Sequence, residues 1–154
     1  MNKHYIRPAA PSDGQMISTL IIHTVCETNA SDYSPKVIEQ ICTNFSLENV
    51  LRKMQIRDVF VCLDEDHCAG TISLEGNKLH SLFVDPNLQR QNIGKQLVIY
   101  LENHALTRGQ TELYLSSSIT AVPFYERLGY LLIKFEERRN GSTYLMKKQL
   151  SNLA

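Results

Sequence analysis

The sequence predicts a mixed α/β layer fold around one sheet, and three observations predict it. Between residues 59 and 84, β-branched and aromatic runs alternate with polar turns, as three consecutive antiparallel strands require. Apolar residues recur at helical spacing on both sides of that block. Near the end, Asn140-Gly141 is the strongest short hairpin signal in the chain.

Tyr5-Ile6-Arg7 reads as a first strand ended by Pro8 and Pro11. Ser12-Asp13 offers a helix cap before Met16, Ile17, Leu20, Ile21 and Val25, which share one helical face. Residues 29–35 are a loop. Ser34 caps a second helix with Pro35 at its first position and Val37, Ile38 and Ile41 on one side. Phe45 to Met54 reads as a further helical turn or two. Val59 to Leu63 is a strand, Gly70 to Leu74 its return, and Leu79 to Val84 a third strand after the Gly76-Asn77 turn. A long helix from about Gly94 to Thr107 ends at Gly109. Leu113-Tyr114-Leu115 is a strand, Ala121 to Leu128 a short helix stopped by Gly129, and Tyr130–Phe135 with Thr143–Lys147 the closing hairpin. The order is strand, two helices, three strands, helix, strand, helix, two strands, which makes a layered sheet-and-helix architecture.

The 154 residues fit one domain, 1–154, with a single sizeable core. At 43% apolar and 21% charged, the chain has the balance of an ordered globular protein. Sixteen basic and sixteen acidic residues cancel, which argues against a dedicated nucleic-acid binder. No apolar run approaches the roughly 20 residues that span a bilayer, and the first residues lack the apolar core of a signal peptide. A cytoplasmic protein is the expectation, with no membrane partner. Cys26, Cys42, Cys62 and Cys68 include no C-x-x-C pair, so no metal site is expected. Cys62 and Cys68 flank a hairpin turn, and buried thiols are the simpler reading than a disulfide.

Two motifs carry the chemistry. In the first, the strand end Leu82-Phe83-Val84 runs through a Pro86 turn and the segment Gln89-Arg90-Gln91-Asn92-Ile93-Gly94 into the long helix. Such a junction aims several backbone N–H groups at one point, and the positive end of the helix dipole adds to them. With Arg90 and Lys95 it forms a pocket for phosphate or pyrophosphate. A dinucleotide-binding reading fails, because the loop is not G-x-G-x-x-G and antiparallel strands precede it. The second motif is Ser118-Ile119-Thr120-Ala121-Val122-Pro123-Phe124-Tyr125-Glu126-Arg127-Leu128-Gly129-Tyr130.

In this order and spacing the two motifs resemble those of the GNAT superfamily of N-acetyltransferases, over nearly the whole chain. The resemblance implies a mixed, mostly antiparallel central sheet flanked by helices, and acetyl-coenzyme A as acyl donor. It implies cofactor contacts from Leu82, Phe83, Val84, Gln89, Arg90, Gln91, Asn92, Ile93, Gly94, Lys95, Ser118 and Phe124. Asn92 stands where the family has its first glycine. If that position needs a left-handed backbone, Asn is the best substitute for Gly. Ser118 stands where the family has Asn. Tyr125 occupies the position of the family's general acid; the alternative is an aromatic core residue beside Phe124 and Tyr130.

Acetyl transfer to an amine needs a held thioester, a neutral amine, a stabilised oxyanion and a protonated leaving thiolate. A backbone N–H at the end of Leu82-Phe83-Val84 would serve the oxyanion. A lysine-like amine is neutral in only about one molecule in 2,500 at pH 7. His80 is the candidate base: strand alternation gives it the parity of Leu82 and Val84, and an ordinary pKa near 6.5 suits proton acceptance. The alternatives are a hydrogen-bonded sheet histidine, with a water chain or Glu75 taking the proton. The amine site is expected from the first two helices and their loop, with His23, Glu27, Asp32 and Tyr33 as candidates. The acceptor is expected to be a small-molecule or peptide amine. A protein- or tRNA-directed enzyme and a non-catalytic acyl-coenzyme A sensor stand as rival readings. Homodimerisation through the last strands is what the resemblance implies for assembly.

Overall fold

A computed structural model of the chain describes residues 4–29, 31, 33–88, 91–137 and 142–150. Its first strand, β1 (His4–Pro8), ends where the sequence places prolines. Asp13 stands at the N-cap of the first helix, where the sequence places a cap, but its side chain makes no capping bond to that helix. Its carboxylate receives two bonds from the Arg7 guanidinium, at 2.7 and 3.0 Å, and one from the Ala10 N–H at 2.7 Å. The hydrogen bonds from Arg7 hold the Asp13 carboxyl below its ordinary pKa against the opposing effect of burial. The pair fastens the strand to the helix that follows, α1 (Gly14–Thr24), which runs on into a π-turn over Val25–Asn29.

α2 (Pro35–Asn44) begins as its sequence dictates: Ser34 Oγ accepts from the Val37 N–H at 3.3 Å, with Pro35 in the first turn. The segment read as a turn or two is a ten-residue helix, α3 (Leu47–Ile56), because Ser46 Oγ accepts from the Asn49 N–H at 3.4 Å and caps it. Three helices, rather than two, therefore separate the first two strands. β2 (Asp58–Asp64), β3 (His67–Glu75) and β4 (Lys78–Val84) follow as consecutive hairpins. Then come α4 (Ile93–Thr107), β5 (Glu112–Ser117), α5 (Val122–Arg127), β6 (Leu131–Glu136) and β7 (Thr143–Gln149). The strands of the last hairpin pair from Leu131↔Lys147 to Glu136↔Thr143. Its expected Asn140-Gly141 turn lies outside the described residues.

The seven described strands form one sheet in the order β1-β2-β3-β4-β5-β7-β6, antiparallel throughout except between β4 and β5. One face packs Phe60, Ile72, Leu79 and Leu115 against Leu97 and Leu101 of α4. The other packs Val61 and Leu63 against Ile17, Ile21 and Val25 of α1 and its π-turn, and Val50 of α3. Gly70 allows α4 to lie close on the sheet: a Cβ there would meet Leu97 Cδ1 at 2.8 Å and Ile93 Cγ2 at 3.1 Å. Cys62 and Cys68 are buried thiols whose pKa burial pushes up to about 11 and about 12. β6 is an edge strand, with Leu131, Leu132, Ile133 and Phe135 exposed. No helix among the described residues is long and apolar enough to cross a membrane.

Candidate active site

The site begins with a defect in strand pairing. Ser73 of β3 pairs with His80, yet Thr71 pairs with Phe83, so β4 sets Ser81 and Leu82 against the single residue Ile72. Ser81 takes the extra turn at φ +55°, a conformation rare for a residue with a Cβ. Beside the bulge, β4 and β5 share one register pair, Lys78↔Tyr114, supported by the Tyr114 N–H to the Asn77 carbonyl at 2.9 Å. Beyond it they part, and a cleft of about 820 Å³ opens between them. That size suits a small-molecule site.

Leu82, Phe83 and Val84 line the cleft, as expected. Past Val84 the chain turns on Asp85, which is buried and accepts from the Asn87 N–H at 2.9 Å and from His67 Nε2 at 2.6 Å. Burial raises the Asp85 pKa, but the Asn87 and His67 hydrogen bonds and the charge of His67 outweigh it and leave it below the ordinary value. Sequence reasoning missed this anchor; its visible signal was an Asp followed by Pro at a strand end. Asn92 then occupies the position before α4 with φ +61° and ψ +19°, the left-handed backbone expected of it. Gly94 has a different reason to be small. A Cβ there would meet Phe124 Cζ at 3.2 Å and Val84 Cγ2 at 3.7 Å, so its bare backbone is what lets Phe124 close over the helix start. Asn92, Gly94 and Lys95 line the cleft, as does Leu88, which the sequence did not single out. Ile93 also contributes to the lining, but its side chain is 1% exposed and belongs to the core. Gln91 is exposed and outside the lining. Gln89 and Arg90 lie outside the described residues.

The facing wall comes from β5 and α5. Ser118 starts a short turn, with its Oγ 3.2 Å from Thr120 Oγ1, and both line the cleft. Phe124 and Tyr125 meet edge to face at 5.1 Å, and Tyr125 meets Tyr130 at 5.8 Å. Tyr125 is buried, which raises its phenol pKa above the ordinary value and keeps it protonated at neutral pH. Behind it the Tyr130 hydroxyl donates to Glu102 Oε2 at 2.8 Å, and Lys148 Nζ reaches the same carboxylate at 3.0 and 3.1 Å. The sequence hint of this network was a Glu within the buried face of a helix, between Leu101 and Ala105.

His80 lies toward the closed end of the cleft, and the bulge corrects its predicted orientation. His80 pairs with Ser73 and Phe83 with Thr71, so His80 has the parity of Phe83 on the face of α1 and α3, and not that of Leu82 and Val84. Burial first, then the positive charges of Arg57 and Lys78, lower its pKa to about 4 in spite of Glu75. The ring is neutral at physiological pH but a weaker base than the sequence implied.

The amine-side candidates are placed less centrally. His23 and Glu27 are exposed, Tyr33 is half-buried, and none of the three lines the cleft. Asp32 lies outside the described residues. Thr24, Ser81, Ser116 and Thr143 line that side instead. In sequence they are unremarkable hydroxyl residues, and only the splay of β4 from β5 assembles them.

Comparison with known proteins gives one consistent answer. The family model for the acetyltransferase (GNAT) domain matches residues 29–150. The uncharacterized N-acetyltransferase YafP of Escherichia coli (strain K12) is 30% identical over 134 residues, 87% of this chain and 85% of that protein. A GCN5-related N-acetyltransferase from Rhodopseudomonas palustris superposes with a TM-score of 0.89 at 20% identity, over 97% of this chain and 98% of its own. The PaiA N-acetyltransferase from Thermoplasma acidophilum, solved in complex with coenzyme A, superposes with a TM-score of 0.81 at 23% identity, over 97% and 99%.

Proposed function

The chain belongs to the GNAT acetyltransferase family, and from that premise we propose that it transfers the acetyl group of acetyl-coenzyme A directly to a primary amine of a small molecule or peptide bound in the cleft. The observation that carries this reading is the bulged, splayed β4, which opens one cleft with the left-handed Asn92 at the start of α4 on one side and Tyr125 on the other. The donor fits these residues. The first turn of α4 presents backbone N–H groups and Lys95 to an anion, which suits a pyrophosphate. The unpaired edge of β4 suits an extended arm.

Acetyl-coenzyme A supplies an activated acetyl group, whose transfer forms an amide C–N bond, breaks the thioester C–S bond and releases one proton overall. The backbone N–H groups at the bulge, around Leu82, act on the carbonyl oxygen as an oxyanion hole. Phe124 excludes water from the reacting atoms. Tyr125 donates its hydroxyl hydrogen bond to the departing sulfur. Full proton transfer from an ordinary phenol to a thiolate of pKa about 8.5 is uphill by about 2 kcal/mol, and burial of Tyr125 makes it steeper. Its role is therefore stabilisation of the thiolate, with any proton it gives replaced by the one the amine loses. His80 accepts a hydrogen bond from the amine N–H and orients the nitrogen. It does not strip an ammonium: a group near pKa 4 facing one near 10.4 is mismatched by roughly 9 kcal/mol. The ammonium proton leaves through water.

The test is acetyl-coenzyme A-dependent thiol release by the purified protein with amino acids, polyamines, aminoglycosides, arylalkylamines and short peptides. Cofactor binding is followed in the same samples. Release with any of these amines supports the reading. Binding of acetyl-coenzyme A without release would favour a sensor or a macromolecular acceptor, and absence of binding would remove the donor assignment.

A further inference from the structure

The charged side chains that line the cleft are of one sign. Among the described residues its ionisable lining is Lys78, His80, Lys95, Tyr125 and Arg127, with no carboxylate. Lys95 lies in the first turn of α4, on the side read above as the donor's, and Arg127 at the end of α5 on the facing wall. Lys78 lies elsewhere. It is the residue of β4 paired with β5, at the closed end of the splay, and it shares a strand face with His80. Among the described residues it makes no ion pair. The nearest carboxylate along the hairpin, Glu75, is taken by Arg57 Nε at 3.0 Å. Glu136 touches the lining through Ser116 Oγ at 3.4 Å without itself lining the cleft.

A second feature points to a polar occupant of the cleft, toward its open end: Tyr114, level with Lys78, pairs with Lys147, and Thr143 lies four residues along β7 from there. Thr143 Oγ1 is shielded from solvent and has no hydrogen-bond partner among the described residues, although Thr143 lines the cleft. A buried hydroxyl without a partner is costly, and a donor or acceptor on a bound molecule would satisfy it.

Resting on the acetyl-transfer reading above, we propose that the acceptor is a primary amine that also carries an anionic group, a carboxylate in the simplest case, held by Lys78 at the closed end of the cleft, and that polycations are poor acceptors. A diamine or aminoglycoside would bring its second cation against Lys78 with no acidic group in the lining to receive it. An amino acid or a peptide with a free carboxylate brings the complementary charge. The same positive field favours the neutral form of the incoming amine, which is the form that reacts.

The experiment compares matched acceptors that differ only in the distal charge. The pairs are 4-aminobutanoate against 1,4-diaminobutane, and α-amino acids against their C-terminal amides. Each is run with the wild type, Lys78→Arg, Lys78→Gln and Lys78→Glu. The wild type should favour the carboxylate member by tenfold or more in kcat/KM. Lys78→Arg should keep that preference, Lys78→Gln reduce it to threefold or less, and Lys78→Glu reverse it. Acetyl-coenzyme A affinity should stay within about threefold in all four proteins. Preference for the diamine, or a preference indifferent to the Lys78 charge, would overturn the inference while leaving acetyl transfer intact. Bound acetyl-coenzyme A with release from no member would overturn it together with the small-molecule reading. Failure to bind acetyl-coenzyme A would overturn both at their root.

Discussion

The roles proposed for Asn92 and Tyr125 differ in kind, one resting on the backbone and the other on a side-chain hydroxyl. Asn92 supplies a backbone conformation: at φ +61° it satisfies what a glycine would satisfy, and its side chain makes no capping bond to α4. Asn92→Gly should therefore leave acetyl-coenzyme A affinity within about threefold, measured by calorimetric titration. A gain of tenfold or more would mean that the Asn side chain obstructs the phosphates and that the conformational account is incorrect. Tyr125 supplies a hydroxyl. Removing that oxygen and keeping the ring preserves the edge-to-face packing with Phe124 and Tyr130. Tyr125→Phe should then lower kcat about 10²-fold or more while acetyl-coenzyme A still binds. Unchanged turnover would reduce Tyr125 to a core aromatic.

At the scale of elements, β4 governs the site, and its bulge is strained at one residue. Ser81 at φ +55° tolerates glycine, whereas a β-branched side chain there is forced into a conformation it strongly disfavours. Ser81→Val should cost about 1–3 kcal/mol in urea denaturation, and Ser81→Gly should be neutral or slightly stabilising. Equal stability of the two would show that the bulge is not held in this conformation. The bulge also marks the limit of what could be read from the sequence. Helix α2 was legible because Ser34 and Pro35 are local signals, and α4 because its apolar stripe and Gly109 are local too. The Phe124-Tyr125 segment was legible as a motif. The parity of His80 was not, because alternation assumes an unbroken strand and the extra residue in β4 is decided by its pairing with β3. Ser46 was passed over as the cap of α3, so a ten-residue helix was read as a turn or two. The hydroxyls of Thr24, Ser116 and Thr143 come from three distant elements, and no spacing announces them.

For the whole molecule, the titration of the site couples to folding. His80 has a folded pKa of about 4 against about 6.5 when unfolded, so between those values the unfolded chain binds the extra proton. Stability should therefore be undiminished by His80 above about pH 6.5 and should fall as pH drops from there toward 4. Asp13 and Asp85 have folded pKa values below their unfolded ones. Their contribution is present above about pH 3.8 and is lost as pH falls further through the folded values. The two windows hardly overlap, so urea denaturation at a series of pH values separates them. His80→Gln should flatten the decline between pH 6.5 and 4 and leave the acid limb below it in place. An equal decline in the variant would mean that burial, together with the charges of Arg57 and Lys78, does not lower the His80 pKa as its place in the fold implies.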